Sequence, residues 1–390
     1  MTDQHPDDDL DLEQDDGGSG IDWERLDRER EEREHKAGAR KANGHSGEKH
    51  PLIKSSAEFV AEFVPPDYIV DGLLQEGFLY SLTGATGAGK TAITLPLAAS
   101  TALGASFAGR ETKKRRVLYL AGENPTDVRM RWIALSQRMD FDPDTIEVYF
   151  IDKVFRISEA AAILKEETAK LGGDFGLVIV DTGPVFYEGD DESSRTQQGS
   201  HANMLPGLIG IIPGKPAIVA NCHPVKNAPP DNLIPAGGGN FLNQVDGNLT
   251  AAKSDSTTEV HWQGKIRGVD FAPMHFLIKT VTHERLKDSK GRLIPTVLSE
   301  WISDAAKEEI AKQRVNDEDQ LLALIDADPK ASQATLALKM GWKLFSGEPH
   351  KTKVARCLKA LTTAKLIKLT RAGKYRLTDE GKTVLKGTEK

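Results

Sequence analysis

Gly84-Ala-Thr-Gly-Ala-Gly-Lys-Thr91 is a glycine-rich run that ends in a lysine and a hydroxyl residue. Glycines at this spacing let the backbone wrap closely and aim its N–H groups at one anion. Lys90 is placed to reach the outer phosphates of a nucleotide, and the Thr91 hydroxyl to bind Mg²⁺. Gly84, Ala85, Thr86, Gly87, Ala88, Gly89, Lys90 and Thr91 are therefore the expected cradle for ATP. Leu177-Val-Ile-Val-Asp181 adds four apolar residues and then an acid, the pattern of an Mg²⁺-ordering carboxylate at a strand end. A third piece is Glu123, in Ala121-Gly-Glu-Asn124. A carboxylate there is placed to orient and deprotonate an attacking water.

These residues need strands and helices to hold them. Residues 78–83 read as a buried strand running into the loop, and 90–103 as the helix that follows. Strands at 116–120, 146–151, 177–181 and 216–221 alternate with helices at 126–139, 158–171 and 197–210. Apolar strands alternating with helices predict an α/β fold with a mainly parallel sheet covered on both faces. From 247 to 300 the pattern changes to short strands, expected to add antiparallel to that sheet.

With these motifs on the page, residues 60–285 resemble the RepA-like hexameric helicases of the RecA/DnaB superfamily. The resemblance rests on Pro65-Pro-Asp-Tyr-Ile-Val-Asp-Gly-Leu-Leu74 before the loop and on Leu118-Tyr-Leu-Ala-Gly-Glu-Asn-Pro125 after it. It implies a RecA-like core with Glu123 as the base that activates water. It makes His223, in Asn221-Cys-His-Pro-Val-Lys226, the sensor of the γ-phosphate, although the family's common His-His-x-x-Lys is altered here. Lys265 and Arg267, in Gly264-Lys-Ile-Arg-Gly268, resemble the Lys-x-Arg element that enters a neighbouring subunit's site. An arginine suits that task because its rigid fork spreads charge over phosphate oxygens. The implied assembly is a homo-oligomeric ring, a hexamer, with single-stranded DNA in its channel. The polar stretches 188–201 and 226–242 are candidate channel loops.

Charge divides the chain. Residues 1–16 hold eight acids and no Lys or Arg, whereas 321–390 hold 15 Lys and Arg against 6 Asp and Glu. Opposite ends of opposite sign point to separate modules with separate partners. Residues 1–56 read as a disordered acidic tail with a transient helix at 22–41, 57–300 as the ATPase domain, 301–317 as a linker and 318–390 as a basic module. No apolar run approaches a membrane span. Two cysteines, Cys222 and Cys357, are too few for a disulfide scaffold or a four-cysteine zinc site within one chain. The expectation is a cytoplasmic protein with no membrane partner.

The last module reads helix, helix, helix, hairpin. Val354, Cys357, Leu358 and Leu361 follow helical spacing, so Lys353, Arg356 and Lys359 are expected on the opposite face. Strands 366–370 and 375–378 flank a turn at Gly373. The order resembles a winged helix, whose third helix enters the major groove of duplex DNA. Arg371, Lys374 and Arg376 would then meet phosphates. Together these readings describe an ATP- and Mg²⁺-dependent DNA motor, a replicative helicase. The alternative is a nucleotide-switched initiator or regulator, with recombination in the manner of RecA as a third reading.

Overall fold

The computed structural model describes residues 53–388 apart from 187, 189–203, 230, 255, 345 and 372. The acidic tail, its helix at 22–41 and nearly all of the loop at 188–201 lie outside the described residues. Two compact units are distinguished, one ending at Val64 and one beginning at Pro65. The described part of the first contains helix α1 (Ser56–Val60). Ser55 and Glu58 close its first turn reciprocally, each side chain bonding the other's backbone N–H.

The second unit is built on a nine-stranded sheet. Its strands are β3 (Leu79–Thr83), β4 (Arg116–Ala121), β5 (Val148–Ile151), β6 (Phe175–Asp181), β7 (Ala217–Cys222), β8 (Gly247–Ser254), β9 (Thr257–Ile266), β10 (Met274–Val281) and β11 (Thr296–Ile302). A small antiparallel pair, β1 (Tyr68–Val70) and β2 (Leu74–Gln75), precedes it. The spatial order is β11-β10-β9-β8-β3-β7-β6-β4-β5. From β8 to β5 neighbours run parallel, and β9, β10 and β11 add antiparallel.

Helices α2 (Lys90–Leu103) and α3 (Pro125–Met139) cover one face. The other carries α4 (Ile157–Leu171), helical residues 204–211 and α5 (Gly238–Gln244). Strand residues alternate between the two cores. Tyr119, Leu177 and Ile179 pack on the α2 side, while Leu118, Val178 and Val180 pack on the α4 side. Burial on both faces is why these strands are apolar throughout rather than alternating.

One joint is not readable from the pattern. Pro96 lies inside α2 and has no N–H to offer the Ala92 carbonyl. Ser299 of β11 donates its hydroxyl to that oxygen instead, at 2.6 Å. A helix defect thereby becomes an anchor for an edge strand.

Helix α6 (Asp304–Ala327) begins at the Ser303 cap, immediately after β11. The expected linker 301–317 thus begins with the end of β11, and from Asp304 it is one continuous helix with the start of the basic module. Its second half packs with α7 (Gln333–Lys339), α8 (Lys351–Thr363) and the hairpin β12 (Ile367–Leu369) and β13 (Tyr375–Leu377). Leu321, Leu322, Ile325, Leu336, Val354, Leu358, Leu361, Ile367 and Leu377 form a separate small core. A last helix, α9 (Asp379–Thr388), follows the hairpin and was not expected from the sequence. Among the described residues no helix is long and apolar enough to cross a membrane.

Candidate functional site

The loop after β3 and the ends of β4, β6 and β7 meet at the carboxyl edge of the parallel strands, where open α/β sheets bind ligands. Asp181 ends β6, which is not the strand beside β3. Strand β7 intervenes, because β3 pairs with β7 and β8, and β6 pairs with β7 and β4. A cavity of about 430 Å³ opens there, lined by Thr86, Gly87, Gly89, Lys90, Thr91, Glu123, Asp127, Arg131, Asp181, His223 and Lys253. That volume suits a nucleotide-sized ligand.

Two glycines of the loop are demanded by geometry. A Cβ on Gly84 would lie 2.8 Å from the Ala251 carbonyl oxygen of β8. Gly89 caps α2 at φ +93°, and a Cβ there would lie 2.8 Å from Ile278. With Gly89 as cap, the free N–H groups at the start of α2 face the cavity, a ready anion site.

Lys90 is buried, and its ammonium donates to the Gly84 carbonyl at 2.7 Å and to that of Ala85 at 3.3 Å. Burial holds its pKa below the ordinary lysine value, against the opposing pull of the Cys222, Asp181 and Glu123 side chains. A phosphate would offset the hydration lost on burial by placing an opposite charge beside the ammonium.

Asp181 is buried and doubly held. The Tyr119 hydroxyl donates to Oδ2 at 2.7 Å, and Asn221 Nδ2 donates to Oδ1 at 2.8 Å. Thr94 joins the network at 3.1 Å from the Tyr119 hydroxyl and 3.3 Å from Asn221 Nδ2. Glu123 accepts from the Thr182 hydroxyl at 3.1 Å. Burial and the nearby Lys90 lower the His223 pKa, against the pull of Glu123 and Asp181. Cys222, next to it, is buried and its thiol is pushed up to about 12, so it is not a nucleophile here.

Among the described residues no group of three or more His, Cys, Asp or Glu could hold a metal alone. Mg²⁺ does not need one, since it keeps several waters and uses one or two protein groups plus phosphates. The Thr91 hydroxyl and the two-point-braced Asp181 carboxylate, both lining the cavity, fit such a role.

Lys265 and Arg267 are not brought to this cavity. Arg267 Nη1 bonds Asp246 Oδ1 at 3.1 Å, while Asp246 Oδ2 accepts the Leu79 N–H at 2.9 Å. Leu79 opens β3, and the phosphate loop follows its other end. The two places lie about 13 Å apart along the strand, at roughly 3.3 Å per residue. The Lys265 ammonium donates to the Asn243 carbonyl at 2.6 Å, and burial and the neighbouring Arg267 depress its pKa.

Sequence reasoning missed Tyr119, Asn221, Thr182, Asp127, Arg131 and Lys253. Tyr119 and Asn221 read as ordinary strand residues. The Asp127–Arg131 pair, Nε to Oδ2 at 2.7 Å, had a signal in its spacing of four on a helix.

In the C-terminal module Arg356, Lys359, Arg371 and Arg376 are exposed. Lys353 departs from the expectation of a solvent-facing residue. Its ammonium pairs with Asp317 of α6 at 2.8 Å and sits 4.0 Å above the Trp342 ring. Lys374 is exposed but donates to the Lys330 carbonyl at 3.1 Å. Both binding partners lie outside the helical stripe that oriented the sequence reading.

Residues 49–208 match the family model of an AAA domain. The match supports a nucleotide-dependent P-loop ATPase. The match takes in the phosphate loop, Glu123 and Asp181, and it stops before His223, Lys253, Lys265 and Arg267. No curated protein matches the chain. The cavity at the sheet's carboxyl edge is consistent with the family match.

Proposed function

We propose that the chain is an ATP-driven DNA motor of the RepA-like helicase kind, hydrolysing ATP between subunits of a hexameric ring. The observation that carries this reading is the separation of Arg267 and Lys265 from the chain's own cavity. The arginine that lines the cavity, Arg131, is held by Asp127, so the fork for the transferring phosphoryl group would come from a neighbour's Arg267. In worked phosphoryl-transfer systems such an arginine contributes about 10³- to 10⁵-fold in rate.

Within one subunit, the loop N–H groups and Lys90 would cradle the phosphates. Mg²⁺, held by Thr91 and Asp181, would neutralise charge on the phosphate oxygens when bound. Glu123, oriented by Thr182, would take the proton from the attacking water, and His223 would report the γ-phosphate to the loop that follows β7. Single-stranded DNA would occupy the channel of the ring. The helices and hairpin of residues 318–388 have the element order of a winged helix, followed by α9. Exposed Arg356, Lys359, Arg371 and Arg376 on that module support contact with duplex phosphates.

The test is steady-state ATP hydrolysis alone, with single-stranded DNA and with duplex DNA, using Lys90→Ala as the blank. Stimulation by single strands is expected, followed by unwinding of a forked substrate. Slow hydrolysis indifferent to single strands would instead favour an ATP-switched initiator. Mixing Arg267→Ala with Glu123→Gln chains is expected to restore part of the activity each lacks alone, because some interfaces then pair an intact finger with an intact base.

A further inference from the structure

We infer that Lys253 is a second cation of the nucleotide site, supplied by the same subunit, that binds the triphosphate directly. The inference rests on the ATPase reading of the cavity. Lys253 lies near the end of β8, lines the cavity, and donates its ammonium to the Gly87 carbonyl at 2.9 Å. Its cross-strand partner in the β8–β9 register is Thr258. The Thr258 hydroxyl donates to the next carbonyl of the loop, Ala88, at 2.7 Å. One cross-strand pair therefore grips two consecutive carbonyls of the phosphate loop.

The two contacts differ in kind. That of Thr258 is buried and neutral, and it braces the loop. That of Lys253 is exposed and spends a full charge on a neutral carbonyl. A hydrogen bond to an ionised oxygen is roughly twice as strong as one to a neutral acceptor. The ammonium therefore moves from Gly87 to phosphate oxygen once a nucleotide occupies the loop.

Charge in the cavity calls for such a group. Glu123, Asp127 and Asp181 bring three carboxylates against a polyanionic ligand. Arg131 is committed to Asp127. Lys90 and Lys253 have no carboxylate partner among the described residues, and Lys90 bonds different carbonyls of the loop, those of Gly84 and Ala85. A second cation lets the site hold a triphosphate while keeping the acids that hydrolysis requires.

Binding of a fluorescent non-hydrolysable ATP analogue and of fluorescent ADP is titrated against Lys253→Met, Lys253→Gln, Lys253→Arg and Thr258→Val, with thermal melts of each unliganded chain. Both neutral variants are expected to melt with wild type, because the side chain is exposed, and to bind the triphosphate about tenfold more weakly, the scale of one charge-assisted hydrogen bond. Their loss for ADP is expected to be smaller, and Lys253→Arg to restore most of the affinity. Thr258→Val should weaken both nucleotides by one factor and lower the melting temperature. Unchanged triphosphate affinity in Lys253→Met and Lys253→Gln would overturn the inference. So would equal losses for ATP and ADP, as for Thr258→Val, which would make Lys253 a second brace. A wild-type chain that binds neither nucleotide, or a Lys90→Ala chain that binds as wild type does, would bring down the ATPase reading instead.

Discussion

Tyr119→Phe isolates the contribution of one hydroxyl to the candidate Mg²⁺ carboxylate. The ring is fully buried and packs against Phe150 with centroids 5.4 Å apart, contacts that phenylalanine keeps. What is lost is the 2.7 Å bond to Asp181 Oδ2, together with the hydroxyl's weaker 3.1 Å contact with Thr94. Asp181 is 3% exposed, so water does not replace the donor freely. A hydrogen bond to a charged group is worth about 1.5–3 kcal/mol. For a domain of 150–250 residues, 1 kcal/mol moves the midpoint by roughly 2–4 °C, so the melt should fall by about 3–12 °C. Asp181 then keeps only the Asn221 restraint, and ATP turnover should fall even where protein remains folded. Thermal melts without nucleotide, read beside steady-state hydrolysis well below the midpoint, measure both. Equal midpoints for Tyr119→Phe and wild type would refute the claim that this hydroxyl stabilises the carboxylate.

Glu123→Gln keeps an acceptor for the Thr182 hydroxyl and should bind ATP normally while turnover falls about 10²- to 10⁴-fold, the range of general-base catalysis; normal turnover would remove Glu123 as the base. Cys222 and Cys357 are both buried with thiols pushed upward, so the native chain should give no fast reaction with a thiol reagent at pH 8 and two equivalents after denaturation. His275 is buried, accepts from the Lys307 ammonium at 2.9 Å, and also faces Glu259 and Asp304; burial and Lys307 hold its pKa below the ordinary 6.5. The unfolded chain therefore binds more protons over that interval, and stability present above about pH 6.5 is lost as pH falls through the folded value. Denaturant midpoints measured from pH 7.5 to 5 should decline, and the decline should be shallower in His275→Gln.

The sequence alone determined the chemistry of the phosphate loop and the class of the fold. Both are local facts: a glycine run fixes which backbone can approach an anion, and apolar strands between amphipathic helices require burial on two faces. It also located Glu123, Asp181 and His223 at strand ends, because an acid or imidazole after an apolar run has few other places to lie. Strand order was decided only in three dimensions. That β7 separates β6 from β3 depends on long-range pairing, which no local pattern encodes. The same holds for Tyr119 and Asn221, whose polar atoms meet Asp181 across neighbouring strands while their own segments read as plain core. Lys353 looked free because its helix has an apolar stripe elsewhere, yet Asp317 and Trp342 reach it from other elements. Lys253 and Thr258 touch the loop from more than 160 residues away. Spacing reports which side chains share a face of one element, whereas contact between elements is set by sheet register and packing, and these exist only once the chain has folded.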